Sequence, residues 1–146
     1  MRPHERFEMS GRPELSIVIP ARDEEFELPA TLESVRQAAE ALGQPWECLV
    51  VNDGSTDRTA EIAREFGARV LDVELHNIGA VRNAGAREAR GTRLVFLDAD
   101  TRLPAETLQA SWNALESGAV GGGAWVRFER IGWLSRVAIW LFCFGW

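Results

Sequence analysis

The chain has 146 residues, 46% hydrophobic and 26% charged, proportions of one globular domain that exclude a disordered or collagen-like chain. Sixteen basic residues against 22 acidic ones give a net charge of −6, which excludes a duplex-binding protein and with it a nucleic-acid partner. All sixteen are arginine, so no mechanism with a catalytic lysine, the P-loop type included, is open to it.

Residues 1–13 are polar, lack the apolar core of a signal peptide and are expected to form a flexible leader. Leu15-Ser16-Ile17-Val18-Ile19, closed by Pro20, predicts a buried strand. After Ala21 to Glu25, Leu28, Leu32, Val35, Ala39 and Leu42 recur at helical spacing, with Pro29 in the first turn and Gly43 as the stop. Glu47-Cys48-Leu49-Val50-Val51 predicts a second strand running into Asn52-Asp53-Gly54. Ser55, Thr56 and Asp57 offer N-cap oxygens to a helix carrying Ile62, Ala63 and Phe66 and stopped by Gly67.

Arg69 to Val73 predicts a third strand. Asn77-Ile78-Gly79 opens an alanine-rich helix, Val81 to Ala89, ended by Gly91; its small residues permit close backbone approach. Arg93 to Leu97 predicts a fourth strand leading into Asp98-Ala99-Asp100, and Pro104 opens a helix with Leu108, Trp112 and Leu115 on one face. Strands alternating with helices imply βαβ crossovers, so the expected class is α/β with a mostly parallel, Rossmann-like sheet flanked by helices.

Gly121-Gly122-Gly123 precedes Ala124 to Phe128, expected to be a further strand. From Ile131 to Trp146 only Ser135 and Arg136 are clearly polar, and the apolar run from Val137 to Phe144 is shorter than the ~20 residues of a bilayer span. An apolar C-terminal helix is expected there. Three uses are open: covering the core, lying at a membrane interface, or beginning a longer region. The sequence stops inside this stretch without a cap, and the expectation is a fragment of a longer protein. Cys48 and Cys143, far apart, fit buried apolar positions in a reducing compartment better than a disulfide.

In an open parallel sheet, ligands bind beyond the carboxyl ends of the strands. Strand one brings Asp23 and Glu24 there, strand two Asp53, and strand four Asp98 and Asp100. So many carboxylates on one rim repel unless a cation or hydrogen-bond donors intervene. Asp98 and Asp100 could hold a hard divalent ion such as Mg²⁺, whose shell commonly includes water and substrate phosphates. Otherwise they belong to an acidic turn in which Asp100 or Thr101 caps the next helix. Arg82, near the start of its helix, could pair with a phosphate or carboxylate, or could be an ordinary surface arginine.

Taken in order, Ile17 to Glu24, Val50 to Asp57, Asn77 to Gly85 and Phe96 to Thr101 resemble the motifs of the family 2 glycosyltransferases of the GT-A fold. The likeness covers about residues 14–128, taken as a nucleotide-sugar-binding domain; 129–146 would begin an acceptor or membrane-facing region. The resemblance implies a nucleotide-diphospho-sugar donor and metal-dependent, inverting transfer to an acceptor of unknown identity. It places Pro20, Ala21, Arg22, Glu24 and Asp53 around the nucleobase and ribose. Arg82 would contact the nucleotide or its phosphates, Asp98 the ribose and the metal, and Asp100 would ligate Mn²⁺ or Mg²⁺.

Three features depart from the family pattern. Asp23 stands where asparagine is usual, and Asn52 where an aspartate is usual. The family's general base lies further downstream; Glu129 is a poor candidate, and His76 suits a rim residue better than a base. A catalytically incomplete nucleotide-sugar-binding or membrane-docking module is therefore the alternative. An aspartyl-nucleophile phosphatase fits worse, because Arg102 stands where it needs a hydroxyl and lysine is lacking. The apolar tail implies a cytoplasmic protein in peripheral contact, through Ile131 to Trp146, with the inner membrane face.

Overall fold

The computed structural model describes residues 12–124. Within them the expected strands and helices form in the expected order: β1 (Leu15–Ala21), α1 (Leu28–Leu42), β2 (Trp46–Asp53), α2 (Thr59–Glu65), β3 (Arg69–Val73), α3 (Ile78–Glu88), β4 (Arg93–Phe96) and α4 (Ala105–Glu116). The strands lie in the order β3-β2-β1-β4, and every pairing is parallel. β1 and β2 occupy the centre and are buried throughout, which is why their sequences are nearly continuous apolar runs rather than alternating ones.

The two faces of the sheet carry different helices. Leu15, Ile17 and Ile19 of β1 and Trp46, Cys48 and Val50 of β2 pack against Leu28, Leu32 and Val35 of α1, Ile62 of α2 and Leu108 and Trp112 of α4. On the other face Val18, Leu49 and Val51 meet Val81 of α3. The small residues of α3 matter here. A Cβ on Gly85 would lie 2.4 Å from Val18 Cγ1 and 2.8 Å from Val51 Cγ2, so only glycine lets the helix lie this close to the sheet.

Three local expectations are corrected. Of the three oxygens offered to α2, only that of Asp57 reaches its first residue, accepting the Thr59 amide at 2.9 Å, and Arg58 holds the N-cap position without a side-chain bond; Ser55 and Thr56 turn to Asp23 instead. α3 ends at Glu88, before Gly91. Gly91 serves close approach, since its Cβ would meet the Leu15 and Ser16 backbone at 2.7 Å. α4 begins after Pro104 without a side-chain cap, so neither Asp100 nor Thr101 is spent on capping. Cys48 is a free, buried thiol whose pKa burial pushes up, while Cys143, the strand expected after Ala124, and the 129–146 tail lie outside the described residues.

Glu47 is an acid buried in the sheet. Its Oε1 accepts the Ser16 hydroxyl at 2.7 Å and the Arg90 amide at 2.6 Å, and its Oε2 pairs with Arg69 at 2.6 Å. Burial alone would raise this carboxyl, but those donors outweigh it and hold the pKa below the usual carboxylate range.

Two stability predictions follow from this packing. Gly85→Ala is expected to lower stability by ~1–3 kcal/mol through overpacking, whereas Gly79→Ala, whose nearest neighbour is Asn77 Oδ1 at 3.4 Å, should be neutral or stabilising; urea unfolding compares them. Because the Glu47 pKa is depressed on folding, its stabilisation is fully present above the unfolded pKa of ~4.3 and is lost as pH falls through the folded value. Glu47→Gln is therefore expected to cost ~1–3 kcal/mol at pH 7 and less with each step below pH ~4, measured as the difference between the two unfolding curves.

Candidate functional site

The carboxyl ends of β1, β2 and β4 open on a cleft of about 540 Å³. Parallel pairing with β1 in the middle is what brings them to one edge: Ala21 stands beside Asn52, and Val18 beside Phe96. All eight residues expected at the site line the cleft: Pro20, Ala21, Arg22, Glu24, Asp53, Arg82, Asp98 and Asp100. His76, expected at the rim, is there too.

The first wall is the turn after β1. Asp23 adopts a left-handed conformation (φ 53°) that aspartate tolerates better than most residues. This turns its carboxylate out of the acidic rim and into the β2–α2 loop, where Oδ1 accepts the Thr56 amide at 2.7 Å while the Asp23 amide donates to Ser55 Oγ at 3.0 Å. The Glu24 amide donates to Thr59 Oγ1 (2.8 Å) and the Glu25 amide to Asp57 Oδ2 (3.0 Å). The two loops are thereby zipped together, and Glu24 faces the cleft. Partial burial, and next to it the charge of Asp100, raises the Glu24 carboxyl.

Asp53, only 6% exposed, ends β2. Its Oδ1 accepts the amides of Leu75 (2.6 Å) and His76 (3.1 Å), fixing the connection from β3 to α3. Burial pulls this carboxyl up, but the two amides and the neighbouring His76 and Arg22 hold it below the usual range. His76 Nδ1 lies 3.0 Å from Arg22 Nη1; a guanidinium only donates, so Nδ1 accepts and the ring proton sits on Nε2. In that contact Nδ1 is engaged by Arg22, and His76 stands at the rim of the cleft. Asn52, in the place of a usual aspartate, donates from Nδ2 to Asp72 Oδ1 at 2.7 Å. An aspartate there would face Asp72 with like charge.

The acidic pair after β4 is held by its middle residue. Ala99 is buried, and its carbonyl accepts the Thr31 hydroxyl of α1 at 2.6 Å. Leu97 donates to the Val18 carbonyl at 3.1 Å and Leu103 to Ser34 Oγ at 3.0 Å. With Ala99 pinned inward, Asp98 and Asp100 on either side both line the cleft. Asn77 caps α3 through the Ala80 amide at 2.9 Å, and one turn on, Arg82 Nη2 pairs with Asp98 Oδ1 at 2.6 Å.

Among the described residues no three histidine, cysteine, aspartate or glutamate side chains form a ready-made metal cage. The pair Asp98 and Asp100 nevertheless fits a hard divalent ion that takes its remaining ligands from water and a diphosphate, as Mg²⁺ commonly does. Glu24 lines the same cleft, and burial first, then the charge of Asp100, raises its carboxyl. Asn77, Ile78 and Val81 also line the cleft and were not foreseen. The start of α3 next to the Asp98-Ala99-Asp100 turn was the available signal for them.

A family model described as glycosyl transferase family 2 matches residues 16–142. An undecaprenyl-phosphate 4-deoxy-4-formamido-L-arabinose transferase of Aeromonas hydrophila is 33% identical over 131 residues, 85% of this chain and 40% of the relative. A 4,4'-diaponeurosporenoate glycosyltransferase of Staphylococcus haemolyticus is 42% identical over 96 residues, 61% of this chain and 24% of the relative. The chain thus spans well under half the length of these curated relatives. Among solved structures, glucosyl-3-phosphoglycerate synthase of Mycobacterium tuberculosis with Mn²⁺ and UDP superposes with a TM-score of 0.62 at 23% identity, over 73% of this chain and 40% of that one. S. aureus TarS 1–349 with UDP gives 0.57 at 26% identity, over 71% and 32%. The fold is the GT-A-like one expected, and this chain belongs to glycosyl transferase family 2.

Proposed function

We propose that this chain is the donor-binding part of a glycosyltransferase that moves a sugar from a nucleotide diphosphate to an acceptor, with inversion and with a divalent metal. The observation that carries the reading is the convergence of Asp53, Arg82, Asp98 and Asp100, from two strand ends and one helix, on a single cleft. Support comes from the neighbours crystallised with UDP or with GDP-Man and Mn²⁺, and from relatives named as sugar transferases.

Each residue has a task that its surroundings allow. Asp53 spends Oδ1 on two backbone amides, so Oδ2 is the oxygen to accept a donor group from the base or ribose. The Pro20–Arg22 segment and Glu24 form the wall beside it. Arg82 supplies a guanidinium to the phosphates, and Asp98 an acceptor to the ribose hydroxyls. Asp98 and Asp100 together would hold Mn²⁺ or Mg²⁺, which acts as a Lewis acid on the departing diphosphate. Leaving-group departure builds negative charge at that end of the cleft, and Arg82 stabilises it directly. The base that activates the acceptor is expected in sequence beyond Asp100, as the greater length of the relatives suggests.

No helix among the described residues is long and apolar enough to cross a membrane. We place the protein at the inner membrane face, in contact through Ile131 to Trp146, on the strength of that segment's tryptophans and of relatives named for undecaprenyl-phosphate.

Calorimetric titration tests the donor reading. UDP or GDP is expected to bind at least about tenfold tighter with Mn²⁺ than without, and Asp100→Ala to lose that enhancement, a loss of about 1.4 kcal/mol or more in coupling. Absent binding, or metal-independent binding unchanged by Asp100→Ala, would overturn it. Binding without transfer or slow donor hydrolysis would favour a binding module lacking its catalytic complement. For the membrane contact, liposome flotation should show the chain partitioning with vesicles and a variant lacking residues 131–146 failing to do so; equal partitioning would reject it.

A further inference from the structure

We propose that Arg82 is a positioning residue that masks Asp98 in the free protein and releases it when a diphosphate arrives, so that the metal site is completed by the donor. The inference rests on the donor-binding reading and adds to it an order of assembly.

The two carboxylates of the Asp98-Ala99-Asp100 turn are in different states. Asp98 Oδ1 is bound to Arg82 Nη2 at 2.6 Å, in an ion pair whose side chains are 57% and 39% exposed. Asp100 is in no ion pair among those described, and its Oδ1 has only the Thr101 hydroxyl at 3.4 Å. At this turn a cation entering the cleft of the free protein therefore meets one unpaired carboxylate, Asp100, and one, Asp98, already paired with Arg82. Divalent ions held by a single carboxylate and water bind weakly, because little hydration is replaced.

Arg82 is itself incompletely satisfied. Its Nε is shielded from solvent and has no acceptor among the described residues. A guanidinium presents five N–H groups in a planar fork that suits two oxygens of one phosphate. A diphosphate offers that second acceptor, and Arg82 can shift to it because the exchange replaces a single half-exposed pair with a bidentate one. Asp98 is then free to join Asp100 on the metal. Binding of nucleotide and metal becomes reciprocally coupled through one side chain that has two alternative partners.

A double-mutant cycle on Mn²⁺ affinity, read by the paramagnetic resonance of free Mn²⁺, tests this without any turnover. In the absence of nucleotide, Arg82→Gln is expected to tighten Mn²⁺ binding about twofold to fivefold, the range of a partly exposed ion pair. Asp98→Asn alone should change it by less than about twofold, and should abolish the whole gain when added to Arg82→Gln. An Arg82→Gln gain of equal size with and without the Asp98 carboxylate would mean only that a positive charge had been removed, and would overturn the proposal. A second measurement needs no Arg82 variant. With saturating UDP, Asp98→Asn should now weaken Mn²⁺ by at least about fivefold; an effect equal to that without UDP also overturns it. If the unsubstituted protein shows Mn²⁺-dependent UDP binding while these tests fail, only the masking is wrong. If it binds neither, the donor reading itself has fallen.

Discussion

Everything at the cleft depends on parallel pairing of β1 with both β2 and β4. β1 pairs along its full length with β2 and over its first four residues with β4, and in parallel strands the chain leaves each at the same edge. Asp53, the Asp98-Ala99-Asp100 turn and Glu24 come from segments far apart in sequence, yet the sheet gives them no other place to go. Reversing any one strand would carry its carboxylate to the far side of the domain. The burial of Ile17, Ile19, Val50 and Val51, all at 0% exposure, holds these two strands at the centre of the sheet between its helix layers.

Collecting carboxylates at one edge has an electrostatic cost, and the molecule meets it residue by residue. Asp57 is satisfied by the Thr59 amide and hydroxyl, and by the Glu25 amide. Asp53 takes two backbone amides, Asp23 is turned into the neighbouring loop, and Asp98 holds Arg82. The residual negative charge is left at Glu24 and Asp100, which act on each other. A cluster so carefully neutralised everywhere but at one point has a preferred place for a cation. In the proposed function that place lies beside the diphosphate that Arg82 contacts.

The fold was nearly all legible in the sequence, because buried parallel strands read as apolar runs and helices as three- and four-residue steps, with Gly43 and Asn77 marking ends that the structure respects. That Asp53, Asp98 and Asp100 would meet at one edge of the sheet was legible for the same reason, since each follows an identifiable strand. What escaped depends on partners distant in sequence. Asp23 looked like a rim carboxylate; its true neighbours, Ser55 and Thr56, come alongside only once β1 and β2 are paired. His76 meets Arg22 across 54 positions, and no local pattern announces such a pair. Gly91 resembled a helix stop because glycine usually is one there, but the closeness of the β1 backbone decides its identity.

Gly85 joins the packing of the domain to its chemistry. It lies three residues after Arg82 on α3, so both project from the same side of the helix. The missing side chain at Gly85 lets the helix settle against Val18 and Val51, and that depth sets how far Arg82 must reach to touch Asp98. The Arg82–Asp98 contact of 2.6 Å is made from that depth. A methyl group that lifted α3 by even part of an ångström would act on the ion pair as well as on the core. Gly85, which looks like one of the least chemical residues in the chain, thus sets the depth from which the arginine of this helix reaches Asp98.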